Sequence, residues 1–419
     1  MRSKANTEII DLLAKELNGK NLTLTDVLNS KEGLNLISEK ILNEIMESQR
    51  DEYIMENPDY RNGYYSRSMH TASGKLNLQV PRTRENNFFP SLLTKYQRSS
   101  NSYLELVANL IYNGRSKENI KSVLKDFELH FSKEVAETLF KNITQEVADF
   151  KTAHIPEELP FVYIDAYHCS VKDTRDEKTD TTGIVKEASI YTVIGLDFEA
   201  KKRVLGFYVE FGNENKGTWI KIFNDLVQRH LKRVMMFISD DFSGISDAIH
   251  SVYPAAMTQK CIIHFLRNID RNLSPKIATE FKQKIRNIRD DASLNFDEAV
   301  NKFENLCRLY ENENKTFFKY VLNKKQEYWI FMKFDSEIRK YINTSNIVEN
   351  FNSVLEKSRV AIGGYFQSIN VAEKSIYLIV RRLHNNVWNR PIPKLKHFQH
   401  DVRQKFNLTF GENYDILLS

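Results

Sequence analysis

Between residues 157 and 263, short apolar runs alternate with segments of helical period, and this succession leaves the chain few folds to choose from. Phe161-Val162-Tyr163-Ile164 enters as a buried strand. Ile190–Leu196 and Val204–Val209 follow, joined by the polar turn Asp197-Phe198-Glu199-Ala200-Lys201. Runs this short, rich in β-branched and aromatic residues and bounded by turn signals, read as strands and not as helices. A helix carrying Trp219, Ile222, Phe223, Leu226 and Val227 comes next. Then come the strand Val234–Ile238, a helix with Ile245, Ala248, Ile249 and Val252, and a last strand ending in Cys261-Ile262-Ile263. The pattern predicts an α/β core.

The order of three strands, helix, strand, helix, strand matches a ribonuclease-H-like core. The flanks differ from it. Residues 1–57 read as an N-terminal helical region. Residues 58–150 read as a basic β-rich module followed by a helix-turn-helix-like unit. Turn signals at Asn62-Gly63 and Ser73-Gly74 flank the alternating segment Lys75–Val80, and Ser116 and Ser132 are placed to cap short helices. Three short helices with tight turns suit groove reading, although such pieces often only pack. The first part of this core spans 157–270. An all-helical insertion, opened by Ser274-Pro275, covers 271–335. Core helices follow over 336–390, and 391–419 reads as a basic tail.

The chain has 419 residues, 41% hydrophobic and 27% charged, enough to bury sizeable cores. No apolar run of about 18 residues is present, which argues against a membrane partner. Acids within the first residues argue against a signal peptide, and the scattered Cys169, Cys261 and Cys307 suit a reducing cytoplasm. Net charge is only +5, but the cations cluster. Arg61, Arg67, Arg82, Arg84, Lys95 and Arg98 interleave with tyrosines and phenylalanines. A second set includes Arg267 and Arg271, and a third runs through Arg381, Arg390, Lys394, Lys396 and Arg403. Three separated patches suit a long polyanion; each alone reads equally well as a solvated helix face.

Asp165 closes the first strand and Asp240 closes the strand Val234–Ile238. Strand ends at the carboxyl edge of an α/β sheet are where such folds place ligands. Glu349 lies far downstream on a helix. Three converging carboxylates would hold Mg²⁺, an oxygen-seeking ion that serves in-line phosphoryl displacement. Taken singly, each of these acids reads as a cap or a surface charge, since the chain carries 55. Asp241, next to Asp240, is expected to point away from the site and to cap the following helix.

At these segments the chain resembles the mutator-type transposases of bacterial insertion sequences, from about residue 58 to 390. Arg61-Asn62-Gly63-Tyr64 with Val80–Arg84 is similar to the family's basic module. Tyr163-Ile164-Asp165-Ala166 and Ile238–Gly244 resemble its two aspartate segments. Cys261–Asn268 resembles its Cys-x-x-His segment, and Thr344–Asn352 its glutamate segment. The resemblance implies a ribonuclease-H-like DDE core with Asp165, Asp240 and Glu349 as catalytic and metal-binding residues. It also implies a catalytic role for His264 beside the metal. Two departures touch local DNA contacts: the long polar stretch Asp173–Lys186, and Glu356-Lys357-Ser358 where a more basic run is usual.

A Cys-x-x-His pair is half of a zinc site. No second pair stands at suitable spacing, so zinc is not expected, and a buried cysteine beside a satisfied histidine on a strand end is the plainer reading. Trp219, Trp329 and Trp388 read as packing residues, with base stacking by Trp329 the lesser alternative. The expected function is DNA transposition: binding terminal inverted repeats and target double-stranded DNA, then Mg²⁺-dependent cleavage and strand transfer, with Mn²⁺ substituting. A homo-oligomer, at least a dimer, is expected at synapsis, in the bacterial cytoplasm at the nucleoid. The alternatives are a transposase-derived DNA-binding protein that no longer cuts, and a structure-selective ribonuclease-H-like nuclease.

Overall fold

The computed structural model describes residues 31–57, 59–71, 74–93, 133–173, 184–361, 364–385 and 387–411. They fall in two compact units, Met1–Ile143 and Thr144–Ser419.

In the first unit, helix α1 (Lys31–Glu56) covers a hairpin of β1 (Arg61–Thr71) and β2 (Gly74–Thr83). Strict alternation in β2 buries Leu76, Leu78 and Val80 on one face, where they meet Met46 and Leu42 of α1. The opposite face leaves Lys75, Asn77 and Gln79 in solvent, and the alternation breaks at Pro81, beyond which Arg82 is exposed. Gly74, at φ 143, opens the return strand. Asn62-Gly63 is not a turn as expected: it lies inside β1 at a register shift, with Gly63 at φ 67. Glycine at positive φ fits a bulge as well as a turn, and only pairing to β2 decides between them. The first two of the three expected helices lie in 94–132, outside the described residues. The third continues as α2 (Lys133–Thr152).

The second unit is built on a five-stranded sheet of order β5-β4-β3-β6-β7. Its strands are β3 (Glu158–Lys172), β4 (Val185–Leu196), β5 (Lys202–Phe211), β6 (Arg233–Ser239) and β7 (Met257–Lys260). The first three pair antiparallel, while β6 pairs parallel to both β3 and β7. Helices α3 (Lys216–Gln228) and α4 (Ile245–Val252) close one face. There Val162, Ile164 and Tyr191 of the sheet pack on Trp219, Phe223 and Ile249. Residues of odd number in β3 face the other way: Phe161 meets Phe334 edge-on, and the Tyr163 hydroxyl donates to the Tyr341 carbonyl at 2.9 Å.

The expected last strand is shorter than the sequence suggested. It stops at Lys260, and Ile262–Asn272 is a helix, α5. Ile262, Phe265, Leu266 and Ile269 are all buried, a spacing that only a helix brings to one side. His264 therefore sits in the first turn of a helix and not on a strand end. The insertion comprises α6 (Pro275–Asp290), α7 (Phe296–Tyr310) and α8 (Lys315–Asn323). Trp329 is fully buried against Phe303, which removes it as a stacking platform, and Trp219 and Trp388 are buried as well. Helices α9 (Ser336–Ile342), α10 (Asn346–Ala361) and α11 (Ile369–Asn385) follow. The segment read as a basic tail carries α12 (Gln399–Phe410), with Val402, Phe406 and Phe410 buried. Among the described residues no helix is long and apolar enough to cross a membrane.

Candidate active site

Asp165 and Asp240 are brought together by strand pairing. The β3–β6 register runs in phase to Tyr163↔Ile238, so each aspartate stands two residues beyond the same rung. Neighbouring strands lie about 4.8 Å apart, which makes the two acids close neighbours at the sheet edge. The buried apolar runs end just before each acid, but only Asp240 stands at a strand end; Asp165 does not close its strand as expected, because β3 continues to Lys172, held by its pairing with β4.

Glu349 reaches this edge because α10 runs along β3. The Asn352 amide donates to Asp165 Oδ2 at 2.7 Å. One helical turn on, Glu356 and Arg359 both meet the Tyr167 hydroxyl, the arginine at 2.9 Å. Two strand residues rise about 6.7 Å. Four helical residues rise about 6 Å, so the two ladders keep step. Glu356, where a basic residue was expected, thus joins α10 to β3. Glu349 lies one turn ahead of Asn352. Its Oε1 accepts from Ser345 Oγ at 2.9 Å and lies 3.7 Å from His264 Nδ1, while Oε2 is 3.5 Å from Arg267 Nη2.

Cys261 ties the acid-bearing elements to one another. Its N–H donates to the Ser239 carbonyl at 2.7 Å, beside Asp240. Its Sγ accepts the Ser345 N–H at 3.3 Å, just before Glu349. Cys261 Sγ, His264 and a Glu349 oxygen all lie within 4.8 Å of one another. Spacing in the sequence offered no third partner for the Cys-x-x-His pair; the fold supplies Glu349.

The electrostatics are those of crowded anions. Burial, then repulsion from Asp240, pushes Asp165 up to about 7, with His264 opposing. Hydrogen bonding to Cys261 pushes His264 up to about 9 against burial, helped by Asp240 and Glu349. Arg267 Nη1 lies 3.0 Å from His264 Nε2 and can only donate there, so that contact belongs to the neutral ring with its proton on Nδ1. Protonation of the ring would displace the guanidinium.

Two neighbours escaped the sequence reading. Asn352 carries no chemistry of its own, and its signal is only its place one turn after Glu349. Glu214, in the loop between β5 and α3, has no local signature. Burial pushes it up to about 7 with Asp240 contributing, although the Trp219 indole donates to it at 2.6 Å. It lines a cavity of about 460 Å³ with His168, Asn213 and Phe242.

Asp241 does not cap the next helix. Gly244, at φ 86, holds that position without a side-chain bond. The Asp241 carboxylate instead accepts from Lys324 Nζ at 2.8 Å and from the Tyr328 hydroxyl at 2.6 Å, with buried Lys260 4.0 Å away. Burial raises its pKa, but Lys324, Tyr328 and Lys260 outweigh that and lower it. The partners come from the insertion some 80 residues away, beyond the reach of local reasoning.

The cations expected to meet DNA are spread over both units. Arg61 is bound by Asp51 at 2.6 Å, Arg67 lies 5.9 Å from the Phe89 ring, and Arg82 and Arg84 are exposed. Arg271 is exposed on α5. Lys95 and Arg98 lie outside the described residues, as does most of Asp173–Lys186.

One stability test follows from the crowding. An acid whose folded-state pKa exceeds its unfolded value binds more protons when folded, so stability falls as pH rises through the interval. For Asp165 and Glu214 that interval runs from about 4 to about 7. In EDTA the melting temperature should decline over this range. Asp240→Asn should flatten the decline and raise the melting temperature at pH 8; an unchanged pH profile would remove the repulsion.

The chain matches the family model "Transposase, Mutator family" over residues 4–390. It is similar to the transposase for insertion sequence element ISRM5 of Rhizobium meliloti (strain 1021), 26% identical over 340 residues, which span 79% of this chain and 83% of that protein. It is also similar to the transposase for insertion sequence element IS256 in transposon Tn4001 of Staphylococcus aureus, 24% identical over 369 residues, 82% and 88% of the two chains. Among solved structures, the Drosophila P element transposase strand transfer complex aligns with a TM-score of 0.30 at 13% identity, covering 77% of this chain and 90% of that one. With the family model spanning nearly the whole sequence, this chain belongs to the Mutator family of transposases.

Proposed function

We propose that the protein binds the terminal inverted repeats of an insertion sequence and cuts and joins DNA strands at Asp165, Asp240 and Glu349, on a ribonuclease-H-like core. Asp165 and Asp240 on adjacent parallel strands, with Asn352 bonded to Asp165 one turn after Glu349, carry the reading. The sheet order, with three antiparallel strands extended by two parallel ones, supports the core assignment.

A divalent cation suits the site. Asp165 is destabilised as an anion by burial and then by its neighbour, and Asn352 Oδ1 is buried without a hydrogen-bond partner. Asp165, Asp240 and Glu349 would hold magnesium, or manganese in its place; bound there, it supplies charge stabilisation to the attacking and leaving oxygens of an in-line displacement. Zinc is not part of the proposal, because Cys261 already accepts a backbone N–H inside the fold. The side chains do the rest. Asn352 fixes the orientation of Asp165, Ser345 fixes Glu349, and Arg267 stands exposed at the edge to meet a phosphate. His264 holds Arg267 there only while its ring is neutral.

Residues 1–150, including the β-hairpin with Arg82 and Arg84, would recognise the element ends, and two copies would synapse them. The direct test is a supercoiled plasmid carrying the inverted repeats that flank the gene. Nicking with Mg²⁺ and none in EDTA is expected; binding without nicking in either would leave a DNA-binding protein that no longer cuts.

A further inference from the structure

The described residues hold a second cavity, of about 250 Å³, between the β4–β5 turn and the ends of α2 and α11. Register places it far from the carboxylates. Lys202 pairs with Leu196, which pairs with Phe161, four residues before Asp165. That is about 13 Å along the sheet, and two strands to the side.

Its cations are unequally satisfied. Arg229 donates to the Ala153 and Phe150 carbonyls at 3.0 and 3.1 Å and lies 3.6 Å from Asp225. Lys201 is paired with Glu199 at 2.6 Å. The cavity's own acid, Asp197, accepts the Lys201 N–H at 2.8 Å and is raised by burial. Lys202 and Arg203 have no carboxylate within ion-pair distance among the described residues. Lys202 is half-buried, with its ammonium 5.1 Å from the Trp388 ring, and burial lowers its pKa. His384 cannot accept its charge, because Nε2 takes the Val204 N–H at 3.0 Å and burial, with Arg203, pushes the ring down to about 4.

A half-buried cation without a counter-ion is costly unless an anion completes it. The surroundings suit a polyanion. The Ile392 N–H donates to the Ala200 carbonyl at 2.9 Å, laying the 390–396 segment beside this turn. That segment carries exposed Arg390, Lys394 and Lys396.

We propose that Lys202 and Arg203 hold a backbone phosphate of DNA, on a stretch of duplex other than the one at the carboxylates. This rests on the DNA-binding reading above. Free inorganic phosphate offers the same oxyanion chemistry, and the test separates the two sources.

The test uses the full chain, Lys202→Met, Arg203→Gln and the double variant. Methionine keeps the apolar stem on Trp388, so Lys202→Met should raise the melting temperature of the DNA-free protein; the exposed Arg203 gives a second variant that leaves the core untouched. Duplex binding is measured against salt. The log–log slope falls by about 0.9 for each phosphate no longer neutralised, so the double variant, which frees the one phosphate held here, should lose about 0.9 and each single variant part of that. Inorganic phosphate at millimolar concentration should leave tryptophan fluorescence unchanged. An unchanged slope overturns the inference, and a saturable fluorescence response to phosphate with that unchanged slope assigns the cavity to the free ion instead. Plasmid nicking is followed in parallel. An unchanged slope with normal nicking by wild type removes this site alone. Wild type that neither binds nor nicks removes the transposition reading, and this inference with it.

Discussion

Glu349→Gln should leave DNA binding intact and reduce Mg²⁺-dependent strand cleavage by roughly 10²–10³-fold or more, the range seen when one preorganised electrostatic group is lost. The amide keeps the shape and can still accept from Ser345 Oγ, now at 2.9 Å, so the first turn of α10 should hold. What goes is the charge that meets Arg267 and would meet a cation. Binding to terminal-repeat duplex by anisotropy and nicking of the repeat plasmid separate the two effects. Nicking by the variant at the wild-type rate would take Glu349 out of the chemistry.

The adjacent aspartates should part company just as sharply. Asp240→Asn should abolish nicking while the protein stays folded. Asp241→Asn should act first on stability, because it removes the anion between Lys324 and buried Lys260. Breaking a buried pair from one side costs about 3–5 kcal/mol, and in a unit of this size that lowers the melting temperature by roughly 10 °C. The amide still accepts from Tyr328, so the lower half of the range is the expectation. The wild-type contribution has the opposite pH sense to that of Asp165. The pKa of Asp241 is depressed in the fold, so its stabilisation holds above the ordinary carboxylate range and is lost in acid as the group protonates. Melting curves and nicking assays on both variants decide the matter. A stable but inactive Asp241→Asn beside an active Asp240→Asn would shift the site by one residue.

The core of the second unit was legible where side-chain period and burial agree. The runs Phe161–Ile164, Ile190–Leu196 and Val234–Ile238 are buried strands because nothing in them tolerates water. The acids closing two of those runs stood out for the same reason. Legibility failed where one local pattern serves two structures. Cys261-Ile262-Ile263 is apolar enough for a strand, yet Phe265, Leu266 and Ile269 continue it at helical spacing. Asn62-Gly63 is a turn signal that a strand absorbed as a bulge.

By itself the amino-acid sequence determined most of the order of strands and helices, the acids that follow two buried apolar runs and the helical stretch after the sheet, because hydrophobic period and turn chemistry act over a few residues at a time. It determined the family as well, through the spacing of its motifs. Only the tertiary structure decided which groups meet. Asn352 on Asp165, Lys324 on Asp241, Ser345 on Cys261 and the uncompensated Lys202 beside Trp388 join residues 83 or more apart in the chain. Such contacts depend on strand register and on the helix running in step with β3. Both are settled by packing the whole sheet, so no local pattern records them.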